Sequence, residues 1–184
     1  MLGIIGKDFK YKVIDNFLSE QELQLLKLYC FFKHRSNQSQ FDTTTSDTAY
    51  NADTYFGSDP LMESLLLNKQ KLVETESGLQ LFPTYSFWRM YTKFATLKKH
   101  VDRESCEISI TVQIDSDGTK WPIYMDGKEI ILKNGQAVVY LGMELQHWRE
   151  EFKGDYQSQC FLHYVNANGI YKDFKYDKRI DLGI

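Results

Sequence analysis

In KKHVDRESC an imidazole, His100, and a carboxylate, Asp102, stand two residues apart. On extended backbone, side chains at i and i+2 point to the same side, so this pair can reach one ion. Alone the pair is a weak signal. A second imidazole strengthens it: His147 lies 45 residues past Asp102, after the apolar stretch GQAVVYLG, at the opening of the next candidate strand. Two histidines and one carboxylate suit Fe(II) and leave three coordination positions open for exchangeable ligands. Imidazole and carboxylate are intermediate-to-hard donors, so they tolerate iron in more than one oxidation state. The competing account is that His100 and Asp102 are ordinary loop polars.

Such a site needs a rigid frame, and the sequence has the parts. ISITVQI alternates cleanly: Ile108, Ile110, Val112 and Ile114 share one face, and Ser109, Thr111 and Gln113 share the other. A polar face inside a barrel suits a small-molecule cavity; a wetted face is the ordinary alternative. From Gly78 onward the period stays at two. LFPTYSFWRMYTKF, EISITVQI, KWPIYMDGKEIIL, GQAVVYLG, HWREEF and YQSQCFLHYV read as strands, separated by turn signals at SDG, DG, NG and KGD. Upstream, FKYKVIDNF (Phe9–Phe17) suits a strand ending in a turn. Ser19 followed by Glu22 is a capping box that opens a helix over 19–33. Residues 35–60 are rich in Ser, Thr, Asn and Asp and read as a long loop with room for a short strand. Pro60 opens a second helix that runs to Glu76, with Gly78 at its exit. Helices first and strands after predict an α+β chain, mainly β, built on an antiparallel barrel or jelly roll.

The 184 residues make one domain by size, with a helical part over about 1–78 and a β core over about 79–170. A net charge of -3 argues against a nucleic-acid partner. No apolar run reaches the roughly 20 residues of a membrane span, and the N-terminus lacks the pattern of a signal peptide. Cys30, Cys106 and Cys160 form no CxxC pair, so the expectation is three reduced thiols in the cytoplasm.

Several stretches carry a resemblance. FWRMYTKFATLKKHVD looks like the approach to the HxD motif of prolyl 4-hydroxylase-like 2-oxoglutarate/Fe(II) dioxygenases, with Tyr91 standing nine residues before His100. GQAVVYLGMELQHW is similar to that family's approach to its second histidine, and YKVIDNFLSEQELQLL to its strand-then-helix opening. The resemblance covers residues from about 11 to 165. It implies a double-stranded β-helix (jelly roll) core with N-terminal helices packed on one sheet. It implies Fe(II) on His100, Asp102 and His147, with 2-oxoglutarate as cosubstrate, its far carboxylate held by Tyr91 and a cation, and dioxygen as co-reactant. The implied reaction hydroxylates a peptide or small-molecule C–H bond, such as that of a prolyl residue or an amino acid.

One departure is plain. Where the family places Arg or Lys, about ten residues after the second histidine, this chain has Gln157. A neutral amide cannot neutralise the distal carboxylate of 2-oxoglutarate, so another cation is required. Arg149, two residues after His147 and therefore on the same strand face, is the first candidate, because guanidinium grips carboxylate bidentately. Arg89, on the face of Tyr91, is the second. The competing account of Arg149 is a surface pair with Glu150 or Glu151. His163 reads as a hydrogen-bonded barrel residue, Trp148 as packed outward against the helices, Arg103 as a rim residue or a partner of Glu104, and Cys106 and Cys160 as core. Trp121 and Tyr124 are candidates for a substrate mouth. Two other readings stay open: a non-catalytic jelly-roll binding module, and an iron enzyme with a different cosubstrate.

Overall fold

The computed structural model describes residues 10–36, 49–55 and 59–184. Among them nine strands form one curled antiparallel sheet in the order β1-β7-β4-β9-β3-β8-β5-β6, with β2 also paired to β3. The strands are β1 Tyr11–Ile14, β2 Ala49–Tyr55, β3 Leu81–His100, β4 Ile108–Ser116, β5 Ile123–Met125, β6 Lys128–Ile130, β7 Ala137–Leu141, β8 His147–Arg149 and β9 Tyr156–Asn166. The sheet folds into two facing halves because β3 is 20 residues long and serves both. Its first part pairs with β9 from Leu81 to Thr92, and its end pairs with β8 at Leu97 and His100. Between them the strand turns a corner at Phe94, whose φ is 68°. There Phe94 N donates to Phe152 O and Phe152 N to Ala95 O, which bridges the bend.

This is the jelly-roll arrangement that the alternating pattern predicts. Helix α1 (Glu20–Ser36) and helix α2 (Pro60–Ser77) cover the outer face of one half. Ile108, Ile110, Val112 and Ile114 of β4 are fully buried there with Leu23, Leu26, Leu66 and Val73 of the helices. Each such aliphatic side chain contributes about 1.5–3 kcal/mol through removal from water. The other face of β4 is also buried: Ser109, Thr111 and Gln113 are at most 2% exposed. That excludes the wetted-face alternative and puts polar groups inside the barrel.

Local signals set the element ends. The capping box at Ser19 forms, with Ser19 N donating to Glu22 Oε2 at 2.8 Å. Asp59 caps α2 by accepting from Leu61 N and Met62 N, both at 3.1 Å. Gly78 ends it in the left-handed region at φ 71°. The DG turn at Asp126-Gly127 closes the β5–β6 hairpin with both residues at positive φ.

Some expectations change. Within Phe9–Phe17 the strand runs to Ile14 and the expected turn follows at Asp15-Asn16, while Phe9 lies outside the described residues. The 35–60 loop contains a seven-residue strand, β2, and α1 runs on to Ser36; residues 37–48 and 56–58 lie outside the described set. HWREEF supplies only three strand residues. Trp148 does not meet the helices: it stacks on Tyr124, ring centroids 5.4 Å apart, on the β5–β8 pair. All three cysteines are buried free thiols.

Asp59 also ties the two helices together, accepting from Tyr29 Oη at 2.6 Å and from Lys33 Nζ. Burial opposes its ionisation, but these donors and Met62 N outweigh that and keep its carboxyl below the usual range. We expect Asp59→Ala to cost about 1–2 kcal/mol at neutral pH, read as a lower urea midpoint. A depressed folded-state pKa stabilises above the unfolded value near ~4 and is lost as pH falls through the folded value. The gap between variant and wild type should therefore narrow on acidification below that range.

Candidate metal centre and cavity

β3 ends on His100 and β8 begins on His147, and the two residues face each other as antiparallel partners. Their ring centroids are 4.2 Å apart. The register shifts between Leu97 and His100, so one extra β3 residue is accommodated there. A bulge of this kind reverses which residues face inward. Leu97 faces the interior opposite Arg149, and strict alternation would then bring Lys99 inward and turn His100 out. The bulge brings His100 in instead. Asp102 follows just beyond the strand, its N–H donating to Gly142 O at 2.8 Å.

The three donor atoms converge. Asp102 Oδ1 lies 3.7 Å from His100 Nε2 and 3.5 Å from His147 Nε2. Metal–ligand bonds of ~2.0–2.2 Å put neighbouring donors roughly 3 Å apart, so this spacing fits one shared ion. Each ring is aimed by its other nitrogen: His100 Nδ1 contacts Lys98 O at 2.7 Å and His147 Nδ1 contacts Leu145 O at 2.9 Å. A carbonyl only accepts, so both Nδ1 atoms carry the proton and both Nε2 lone pairs point at the shared position. Burial, then the nearby His147, pushes the His100 pKa down and favours the neutral, metal-binding imidazole. Burial opposes ionisation of Asp102, but His147 facing it, the His163 ring nearby and the Ser109 hydroxyl hold its carboxyl below the usual range. Ser109 Oγ donates to Asp102 Oδ2 at 2.7 Å, which leaves Oδ1 for an ion.

Asp102, Cys106 and His163 form a second close group. Burial pushes the Cys106 thiol up to about 12, so it stays protonated and is a poor ligand.

The triad lines a cavity of about 410 Å³, within the range of roughly 300–1,000 Å³ usual for small-ligand sites. Arg149 also lines it, is 3% exposed, and makes no pair with Glu150 or Glu151. Its Nη1 donates to Trp121 O at 2.6 Å and its Nη2 to Gln159 Oε1 at 3.1 Å. Gln159 is aimed in turn by Gln113, whose Oε1 accepts from Gln159 Nε2 at 2.8 Å. Among the described residues no carboxylate lies within ion-pair distance of Arg149. Burial lowers its pKa to about 10, so it remains a cation at neutral pH.

Arg89 lines the same cavity, its guanidinium 5.0 Å from the Phe87 ring. Tyr91 is fully buried beside the two arginines, packed edge-on to Trp121, and is not part of the cavity lining. Gln157 is buried opposite Tyr91 in the β3–β9 register and also falls outside the lining. On β9 the amide that reaches Arg149 is Gln159, two residues further on. Trp121 packs over Arg149, 4.6 Å from ring centroid to guanidinium, and lies buried in the core behind it, outside the cavity lining. Arg103 lines the cavity and pairs with Asp177, not Glu104. Cys106 lines it too and contacts Tyr85 Oη at 3.2 Å. Sequence reading missed Tyr140, which lines the cavity and meets His147 edge-on at 5.0 Å. Alternation in AVVYL, with Val138 and Tyr140 inward, was the available signal.

Gly142 is the tightest point around Asp102. A Cβ there would stand 2.5 Å from Asp102 Oδ2 and 2.6 Å from Ser109 Oγ, and closer still to the Cys106 carbonyl. Gly142→Ala should displace the carboxylate, weaken divalent-metal binding at least tenfold and cost about 1–3 kcal/mol by overpacking. Metal titration and thermal melts of the variant check both parts.

No protein-family model matches the sequence, and no curated protein matches it in sequence. Solved structures do match in shape. A Pseudomonas putida prolyl-4-hydroxylase aligns with a TM-score of 0.66 at 14% identity, over 86% of this chain and 94% of that one. An oxidoreductase of the 2OG-Fe(II) oxygenase family from Burkholderia pseudomallei aligns at 0.61 and 13%, over 89% and 87%. HygX from Streptomyces hygroscopicus, with nickel, 2-oxoglutarate and hygromycin B bound, aligns at 0.64 and 12%, over 86% and 84%. By shape, then, this chain has the jelly-roll fold of the 2-oxoglutarate/Fe(II) oxygenase structures.

Proposed function

We propose that the chain is an Fe(II)- and 2-oxoglutarate-dependent oxygenase that hydroxylates a C–H bond, with residues 1–184 acting as one domain. The observation that carries this reading is Arg149, a buried guanidinium in the cavity wall with no acidic partner among the described residues. An uncompensated buried charge costs several kcal/mol, which an anionic ligand would offset. In the β8 register Arg149 stands two residues from His147, about 7 Å along the strand. That suits a short dicarboxylate with one end at the metal and the other at the guanidinium.

In this reading His100 Nε2, Asp102 Oδ1 and His147 Nε2 hold the metal, and Arg149 anchors the far carboxylate of 2-oxoglutarate. The metal with its cosubstrate supplies dioxygen activation, coupled to decarboxylation of 2-oxoglutarate to succinate. The chain's residues orient and shield. Gln113 and Gln159 fix the guanidinium. Ile123, Leu97 and Phe161 are apolar cavity wall that limits water around the ligands. Arg89 lines the same cavity as a second guanidinium, and Tyr91 stands behind the lining with its hydroxyl facing Arg89 Nη1. Three buried free thiols support a reducing, cytoplasmic setting.

His100→Ala or Asp102→Ala should abolish Fe(II) binding with little loss of fold; stoichiometric iron in either purified variant contradicts the metal site. Arg149→Met should keep Fe(II) and melt within about 5 °C of wild type, yet weaken 2-oxoglutarate binding by ~30-fold or more. The readout is the weak visible charge-transfer band in an anaerobic titration of the Fe(II) protein. Wild type should form succinate on aeration. Absence of succinate with metal and 2-oxoglutarate both bound would favour a binding module, and absence of the band would point to another cosubstrate.

A further inference from the structure

The segment Lys172–Lys178 packs against β3, and one carboxylate in it lies on a cavity arginine. Asp177 Oδ1 accepts from Arg103 Nη1 and Oδ2 from Arg103 Nη2, both at 2.8 Å. Ser105 Oγ donates to Asp177 Oδ1 at 2.5 Å and accepts from Arg103 Nη1 at 2.8 Å. Arg103 and Ser105 therefore act as one three-donor cradle, and a guanidinium fork matches a carboxylate in shape as well as charge. The Tyr85 ring backs the fork, 4.7 Å from its centroid to the guanidinium carbon. Arg103 and Tyr85 line the same cavity as His100, Asp102 and His147. A molecule held there by its carboxylate can present its body to the metal position.

The backbone that delivers Asp177 is strained. Tyr176, Asp177 and Lys178 stand at φ 54°, 55° and 63°, three successive left-handed residues with no glycine among them. A Cβ crowds the backbone in that region, so the conformation persists only where its surroundings impose it. The chain just beyond is held in another way. Arg179 Nη2 donates to Glu63 Oε1 at 2.7 Å, and Gly183 N donates to the same carboxylate. The Glu63 side chain is 4% exposed, whereas Arg103 and Asp177 are 49% and 26% exposed. Water weakens an exposed ion pair, and the strain opposes this one further. A carboxylate arriving from outside meets the same donors without the strain. It can displace Asp177 while Glu63 keeps Arg179 and Gly183 in place.

We propose that Arg103 and Ser105 form the carboxylate-binding site for the primary substrate, and that Asp177 fills it as an autoinhibitory stand-in until a carboxylate-bearing substrate displaces it. The proposal rests on the oxygenase reading above, in which 2-oxoglutarate is held at Arg149. It makes Arg103 a specificity residue and the 176–178 turn a self-contact that a substrate acid opens.

The test uses the full chain loaded with Zn(II) and 2-oxoglutarate, at fixed ionic strength. Two matched pairs of probes are titrated by calorimetry. Phenylacetate against phenylacetamide represents a free acid, and N-acetylaspartyl-N′-methylamide against its asparagine counterpart represents a peptidyl acid. Asp177→Asn vacates the cradle and should bind the acid of at least one pair about tenfold or more tighter than wild type does. Adding Arg103→Met to that variant should remove the gain, and neither change should move amide binding. Tyr176→Gly, which relieves the strain but keeps Asp177, should weaken acid binding about threefold. An unchanged acid affinity in Asp177→Asn, or a gain that survives the loss of Arg103, overturns the proposal. Should Asp177→Asn not fold, wild type decides by amide exchange: saturating acid should speed exchange over 174–178 and leave Gly183 protected. In that case, no acid binding to wild type, or binding with exchange unchanged, overturns it. Calorimetry of Zn(II) and 2-oxoglutarate on each sample reads the oxygenase hypothesis separately. The acid titrations repeat on protein without either, where the cradle should still bind.

Discussion

The corner in β3 is the constraint on which the site depends. One strand enters the first half of the barrel paired with β9 and leaves in the second half paired with β8. The bend at Phe94 sends the chain across, and the bulge before His100 sets which face the last residue presents. Together they oppose two imidazoles that lie 47 positions apart in sequence. Sheet hydrogen bonds are rigid on the scale of a coordination bond, so the ligands are placed by backbone pairing rather than by flexible side chains. The same pairing puts Arg149 opposite Leu97. Metal position and anion position are therefore fixed relative to each other by one short ladder.

Charge inside the barrel follows a consistent pattern. Asp102 is the ionised acid among the cavity-lining residues, and Arg149 is a cation with no acid beside it. Each is supported by neutral dipoles: Ser109 for the acid, Gln159 and the Trp121 carbonyl for the guanidinium. Fixed dipoles in a low-dielectric interior steady a charge without cancelling it, which leaves it free to attract a ligand. The outer face of the same sheet does different work. There Ile108, Ile110, Val112 and Ile114 meet the helices in a wholly apolar layer. One strand, β4, thus supplies core on one side and the polar support of the site on the other.

Much of this was legible from the residues alone. The alternation in ISITVQI predicted which side chains of β4 face which layer, because the period of a strand is fixed at two. The capping box at Ser19, Pro60 and Gly78 marked both helices to within three residues at each end, and the DG turn marked the hairpin. These are local signals, set by neighbours a few positions away. The candidate ligands were legible too, because HxD with a later histidine at a strand start is a pattern of residue types. Trp148, the acid that pairs with Arg103 and the length of β8 were misread, since each depends on what lies across the fold. Arg103 has an adjacent acid in Glu104 but takes Asp177 from the chain's far end.

The sequence by itself determined the elements, the amphipathic faces and the kinds of atoms available for chemistry. It could not say that His100 faces inward, since strict alternation from Leu97 sends it out and only a bulge, formed by pairing with β8, reverses it. Nor could it say that Arg149 is buried without an acid while two glutamates follow it in the chain. Burial and convergence are properties of distant segments meeting, and no spacing along one segment encodes them. Tertiary structure decided which donors share a point in space and which arginines line the cavity beside them.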